Sequence, residues 1–302
     1  MLAFRSQTVR RKTLDAAFAI AGLLAMLTGS LALTALIVSL ALNGGPRLSW
    51  QFLTSYPSRF PEQAGILTAW VGTTLVMFVT ALSAVPLGVG AAVYLEEYAP
   101  KNWITDLIEI NIANLAGVPS IVYGLMALGV FVYQFHLGHS ILTAGLTLAL
   151  LILPMVIIST REAIRSVPDS IREAAYALGA TKWQMVKDHV VPYSTGGILT
   201  GLIIALSRAI GESAPLITIG ALSFIAFLPH PPWQSQFPYV SFQWLMDPFT
   251  VMPIQMFNWI SRPQEDFHLN AAAAGLVLMG MTLAMNGLAI YIRFRFRKRI
   301  RW

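Results

Sequence analysis

Apolar positions along this chain fall into long blocks separated by short polar stretches. Six blocks stand out: about Ala16 to Leu42, Gly65 to Leu95, Ile108 to Phe135, Ile141 to Ser159, Tyr193 to Phe227 and Ala271 to Ile292. Each is at least as long as the roughly 18 apolar residues that mark a bilayer-spanning helix. The pattern predicts an all-α membrane protein with six transmembrane helices. Pro86 in the second block and Pro119 in the third predict kinks, because proline lacks an N–H and clashes with the preceding turn. The first block follows Arg10, Arg11 and Lys12. A signal peptide has the same order, but its apolar core is only about 7–15 residues long, so this block is expected to stay in the membrane.

Between the fourth and fifth blocks lies a different pattern, "SVPDSIREAAYALGATKWQMVKDHVVP". Pro168 and Asp169 suit a first helical turn. Ile171, Ala174, Ala175 and Leu178 recur at helical spacing, and Gly179 can take the left-handed conformation that ends a helix. Thr181 and Gln184 then form the pattern of a capping box, and Pro192 is read as the end of the second helix. The expectation is two short helices joined by a tight glycine turn. Small Ala side chains would allow close approach of another surface, with Ile171 and Leu178 giving apolar contact and Glu173, Arg172 and Lys182 orienting the partner. An amphipathic pair resting on the membrane is the other reading.

Composition agrees with a membrane chain: of 302 residues, 56% are hydrophobic and 11% charged, against about 25% charged in soluble domains. Spans and short loops fill the length, so residues 1–302 are read as one transmembrane domain. The net charge of +6 does not point to nucleic acid, because the basic residues cluster at span ends. Sixteen of the twenty Lys and Arg lie on one side: in the N-terminal segment 1–14, at Lys101, in the loop 161–192 and in the tail 293–302. Arg47, Arg59 and Arg262 lie on the other. The positive-inside rule then places both termini and the 161–192 loop in the cytoplasm. The outer loops are rich in Pro, Trp, Tyr and Phe, which suits interfacial anchoring or docking. There is no cysteine and no repeated metal-ligand spacing among the five His, so no metal site is expected.

The twentieth basic residue, Arg208, stands inside the fifth block, four residues before Glu212 and hence on one helix face with it. If the span starts near Gly196, Arg208 lies about 18 Å deep, near the middle of a hydrocarbon core about 30 Å thick. A central Arg costs about 2.5–3.5 kcal/mol on insertion scales and rarely faces lipid. Two readings stay open: a salt bridge that holds helices together, or a cation facing an anion path, where the forked guanidinium suits a tetrahedral oxyanion. Pro215, Gly211 and Gly220 add backbone freedom around the pair. In the third block, Asn111, Asn114, Ser120 and Tyr123 are polar positions suited to interhelical hydrogen bonds or to the path itself.

The loop motif resembles the EAA loop of ABC-importer permeases: Glu173-Ala174-Ala175, three residues, Gly179, nine residues, then His189-Val190-Val191-Pro192. His189 and Val191 stand where that family has an aliphatic residue and Leu. "ALSRAIGESAPLI" and "AGVPSIVYGL" (Ala116 to Leu125) resemble span motifs of the PstA-type permeases of ABC phosphate importers, with Ser213 in place of Thr. The resemblance implies a type I importer permease fold with a cytoplasmic coupling helix between spans four and five. It implies contact with the ATPase through Glu173, Ala174, Ala175, Leu178 and Gly179, and a substrate path past Arg208, Glu212 and Ser213. It also implies partners: a second homologous permease, two ATPase subunits, an extracytoplasmic phosphate-binding protein and the bilayer of a bacterial-type inner membrane.

The chain has no G-x-x-x-x-G-K-[ST] motif. ATP and magnesium are therefore expected on the partner ATPase, with no cofactor on this chain. Three function classes are weighed. The first is the importer permease, for phosphate or another oxyanion such as sulfate. An ion-coupled secondary anion transporter would use Arg208 and Glu212 but leave the loop hairpin without a task. An intramembrane enzyme lacks a catalytic constellation.

Overall fold

The computed structural model describes the backbone of residues 2–233 and 239–299, and the side chains of 11–12, 14–233 and 239–295. The side chains of Arg5, Arg10, Arg297, Lys298, Arg299 and Arg301, which count toward the topology, fall outside those limits. Twelve α-helical segments run in chain order: α1 (Leu2–Gly44), α2 (Trp50–Thr54), α3 (Leu67–Val93), α4 (Trp103–Ala116), α5 (Ser120–Ala127), α6 (Ile141–Arg165), α7 (Asp169–Ala177), α8 (Lys182–Met185), α9 (Val191–Gly211), α10 (Ala214–Thr218), α11 (Met252–Ile260) and α12 (Glu265–Arg299). Among the described residues the only strand-like pairings are isolated bridges at Ser140–Pro248 and Trp233–Val240.

Among the described residues, five helices are long and apolar enough to cross a membrane, and a bent pair brings the total to six at most. The single-helix spans are Leu14–Arg47, Leu67–Tyr98, Ile141–Arg165, Lys182–Gly211 and Glu265–Arg295. α3 runs without interruption through Pro86. The third span departs from its expected form. In place of one kinked helix from Ile108 to Phe135, α4 and the stretch Ser120–Gln134 meet at 104°. Pro119 takes an extended ψ of 137° at the head of α5, and proline also biases the residue before it away from helix. The α4 limb has 14 residues, about 21 Å of helix, which is too short to cross a core of about 30 Å.

α3, α6 and α9 form the centre of the bundle, with α12 packed on α9 and α1 lying chiefly against α12. The main core joins Val76, Leu148, Ile152, Val156, Ala205 and Leu216 among others. α6 and α9 approach closely at Gly197, where an added Cβ would fall 2.7 Å from the Cβ of Ala163. A second core closes the end opposite the basic loop. Phe52, Trp259 and Phe267 are buried there, with ring centres 6.0 and 6.4 Å apart along the row. Arg47 donates to Asn270 Oδ1 at 2.6 Å and also to the Pro61 carbonyl. The aromatic loop after span one is therefore partly core. Phe52 is buried, while Trp50 is exposed.

Candidate functional site

The fifth span carries candidate residues at both of its ends, and its true extent differs from the sequence reading. The expected short second helix of the hairpin, ending at Pro192, does not exist as a separate unit. A π-helical turn over Val186–Val190 joins α8 to α9, making one helix from Lys182 to Gly211. The widened turn explains how Pro192 is tolerated: proline lacks an N–H and clashes with the carbonyl four residues earlier, and a π turn shifts the hydrogen-bond register by one residue at that point. Instead of running on to Phe227, the helix stops at Gly211. Glu212 is extended at ψ 126° and Ser213 precedes the short helix α10. Pro215 would collide with the Gly211 carbonyl in a continuous helix, so the break falls just before it. Arg208 is therefore one turn before a helix end, not at the centre of a long span.

The pair is held loosely. Arg208 Nε lies 3.5 Å from Glu212 Oε1, and Arg208 Nη1 lies 3.2 Å from Met155 Sδ of α6. Arg208 and Glu212 side chains are 40% and 20% exposed. Ser213 makes no side-chain cap for α10, although its carbonyl accepts from Leu216 and Ile217. The remaining guanidinium donors of Arg208 have no partner among the described residues and lie on an open face of the chain.

The two resemblance-bearing span motifs meet here. α5 packs on α10 at Gly124, where a Cβ would fall 1.8 Å from Thr218 Oγ1 and 2.7 Å from Pro215 Cα, so only glycine fits. Tyr123 donates its hydroxyl to the Leu115 carbonyl at 2.8 Å, across the bend between α4 and α5. It adds a second donor to a carbonyl at the end of α4 that also accepts from the Val118 N–H at 3.1 Å. Asn111 is spent on its own helix, donating to Leu107 O at 2.7 Å. The broken third span and the broken end of the fifth thus support one another, and Arg208 and Glu212 sit beside that joint.

At the basic end, the glycine turn forms as expected. Gly179 has φ +82°. The N–H of Ala180 bonds to Ala175 O at 3.1 Å and that of Gly179 to Tyr176 O at 2.9 Å, the two bonds of a Schellman closure. Thr181 and Gln184 complete a reciprocal capping box. Glu173, Ala174, Leu178 and Gly179 are on the outer surface, with Leu178 87% exposed. Ala175 is not: it is buried with Ile164, Val167, Met185, Val186 and Val190, and Ile171 packs on the same cluster. Arg172 is also turned inward, bonding to Glu97 at 2.9 Å and to the carbonyls of Val167 and Ile164. These three hold the hairpin in place, and the exposed apex is left to Leu178 and its neighbours.

Residues 84–301 match the family described as binding-protein-dependent transport system inner membrane component. The chain belongs to that family. Among relatives, the chain is 34% identical to the phosphate transport system permease protein PstA of Yersinia pestis, covering 78% of this chain and 73% of that one. It is 38% identical to the probable ABC transporter permease protein YqgI of Bacillus subtilis, over 63% of this chain and 65% of that protein, just under two thirds of its length. A chain from the inward-facing MetNI methionine ABC transporter superposes with a TM-score of 0.54 at 17% identity, covering 76% of this chain and 94% of that one. At that identity the likeness establishes the fold.

In this membrane component of a transport system, one part of the site went unread in the sequence. Arg161 donates to Glu96 at 3.2 Å and to Glu109, while Arg165 donates to Glu96 at 2.9 Å. With Glu97–Arg172, this network ties the ends of α3 and α6 and the middle of α4 to α7. Arg161 and Arg165 counted in the sequence only as topology markers, and Arg172 was also read as orienting a partner. Their partners lie 52 to 75 residues away, and no local pattern reveals them.

Proposed function

We propose that this chain is the permease subunit of an ATP-driven inorganic phosphate importer of the bacterial inner membrane, forming one half of the translocation path. The observation that carries the reading is the single helix Lys182–Gly211. It starts just after the exposed glycine turn and carries Arg208 in its last turn, so the docking surface on α7 is joined directly to the element that carries the cationic group. A separate ATPase engages Glu173, Ala174, Leu178 and Gly179, with Ala175 setting the hairpin from beneath. ATP and magnesium belong to that subunit, and this chain hydrolyses nothing itself. A second permease completes the path, and an extracytoplasmic binding protein delivers the anion. Arg208 meets the phosphate oxyanion through its free donors. Glu212 restrains the guanidinium and, with Ser213, accepts from or donates to a protonated oxygen. The phosphate assignment is supported by the PstA relative; the ATP-driven cycle is supported by the family.

The test is radiolabelled phosphate uptake into proteoliposomes holding the chain with its permease partner, ATPase and binding protein, with ATP inside and sulfate as competitor. ATP-dependent uptake that sulfate leaves unchanged is the expected result. ATP-dependent uptake of sulfate instead would keep the architecture and replace the substrate. Phosphate uptake without ATP would make the chain a secondary carrier.

A further inference from the structure

At the basic end of the bundle lies an open cavity of about 730 Å³ between the end of span two and the start of span five. That volume is within the range of small-molecule sites, about 300–1,000 Å³. Gly90, Tyr94 and Tyr98 form one wall, and Trp183, Lys187 and Val191 the other. Its surface is almost wholly apolar. Each wall contains a π-helical turn, Tyr94–Tyr98 on one side and Val186–Val190 on the other. Such turns are uncommon and recur at functional sites. Here they sit opposite each other across the same groove.

The charge at the mouth is positive and uncommitted. Lys187 is exposed and forms no ion pair among the described residues. Lys182 Nζ lies 5.0 Å from the centre of the Tyr98 ring, a second cation beside the same wall. The acids at the end of α3 do not cancel them: Glu97 is taken by Arg172, and Glu96 by Arg161 and Arg165. Asp188 is exposed too, but the next residue on a helix is turned by roughly 100°. Three aromatic residues with polar tips, Tyr94, Tyr98 and Trp183, rim the groove, as aromatic side chains do at the level of lipid headgroups. An apolar slot, an aromatic rim and free lysines at the basic end of a membrane bundle match the chemistry of one class of molecule.

We infer that this groove holds an anionic phospholipid, with its phosphate at Lys187 and Lys182 and an acyl chain along Gly90 and Val191. Basic pockets between membrane helices on the cytoplasmic side bind anionic headgroups in this way. The lipid would wedge the start of the fifth span against the end of the second, next to the hairpin. The proposal does not involve the transported substrate, so it stands or falls separately from the phosphate reading.

The experiment uses the transporter as extracted from its membrane, placed in phosphatidylcholine nanodiscs with a minor share of photo-crosslinkable phosphatidylglycerol. A matched set carries photo-crosslinkable phosphatidylcholine. Peptide mapping should find adducts on Gly90–Tyr98 and Trp183–Val191, favoured with the anionic probe. Lys187→Gln should reduce that preference about fivefold, the factor for one basic residue at an anionic surface. Gly90→Leu should remove the adducts while leaving the fold intact, since a Cβ at Gly90 meets nothing within 4 Å. Equal labelling by the two probes, or undiminished labelling in Gly90→Leu, would overturn the proposal. So would a cross-link showing the groove filled by a co-extracted subunit.

Discussion

Arg161 and Arg208 are both guanidinium groups set among apolar helices, and they are held in opposite ways. The Arg161 side chain is 9% exposed and reaches two carboxylates, Glu96 and Glu109, from two other helices. Arg208 is 40% exposed, has one carboxylate at 3.5 Å on its own chain segment, and fills another direction with a thioether. A buried guanidinium with its donors satisfied is a structural tie, because removing it leaves Glu96 and Glu109 to the half-exposed Arg165 alone. A guanidinium with unfilled donors is available for a visiting anion. The same side chain thus serves as mortar at one end of the bundle and as a receptor at the other.

Four substitutions test this contrast, from the largest expected loss of stability to the smallest. Arg161→Ala should destabilise the folded chain by about 3 kcal/mol, the low end for a broken buried pair because Arg165 still faces both carboxylates, read as a lowered thermal midpoint or loss of detergent-soluble protein. A stable, monodisperse Arg161→Ala protein would show that the network is ornamental. Gly124→Val should cost about 1–3 kcal/mol by overpacking α5 against α10, and it should disturb transport together with stability. Gly179→Asp places a Cβ at φ +82°, a cost of about 1 kcal/mol. Membrane insertion should survive while ATPase co-purification and uptake fall; normal values of both would remove the apex from the docking surface. Arg208→Gln should change stability by no more than about 1 kcal/mol, as for a solvent-reached pair. It should nevertheless cut phosphate uptake at least tenfold, roughly the loss of a charged hydrogen bond. If Arg208→Gln prevents assembly instead, the pair is a second structural tie and the contrast collapses.

What could be read from the sequence divides along physical lines. The first, second, fourth and sixth spans, the Gly179 turn and the Thr181–Gln184 box depend on residues a few positions apart, and the structure has all of them. Pro119 was legible as a disturbance, but the 104° angle is set by Gly124 meeting Pro215 and by Tyr123 closing on Leu115. These are contacts between distant segments or across the bend. Pro192 misleads because a stop signal assumes regular α-helical register, and the π turn upstream changes that register. Arg172 and Ala175 were read as facing a partner because helical periodicity finds faces without saying which one is covered. The Leu178 face is bare and the Ala175 face is covered, and only the packing of α7 on Ile164 and Met185 decides between them.

The closeness of Gly197 to Ala163 has a mechanical meaning. Gly197 lies at the midpoint of the 30-residue helix Lys182–Gly211, a rod about 45 Å long. A rod pinned at its middle is a balanced lever, with α6 as the fulcrum. Tilting it by about ten degrees would swing each end by about 4 Å in opposite senses, given arms of about 22 Å. Any push on the hairpin arm would therefore reach the arm that ends at Arg208 reversed in direction and undiminished in size.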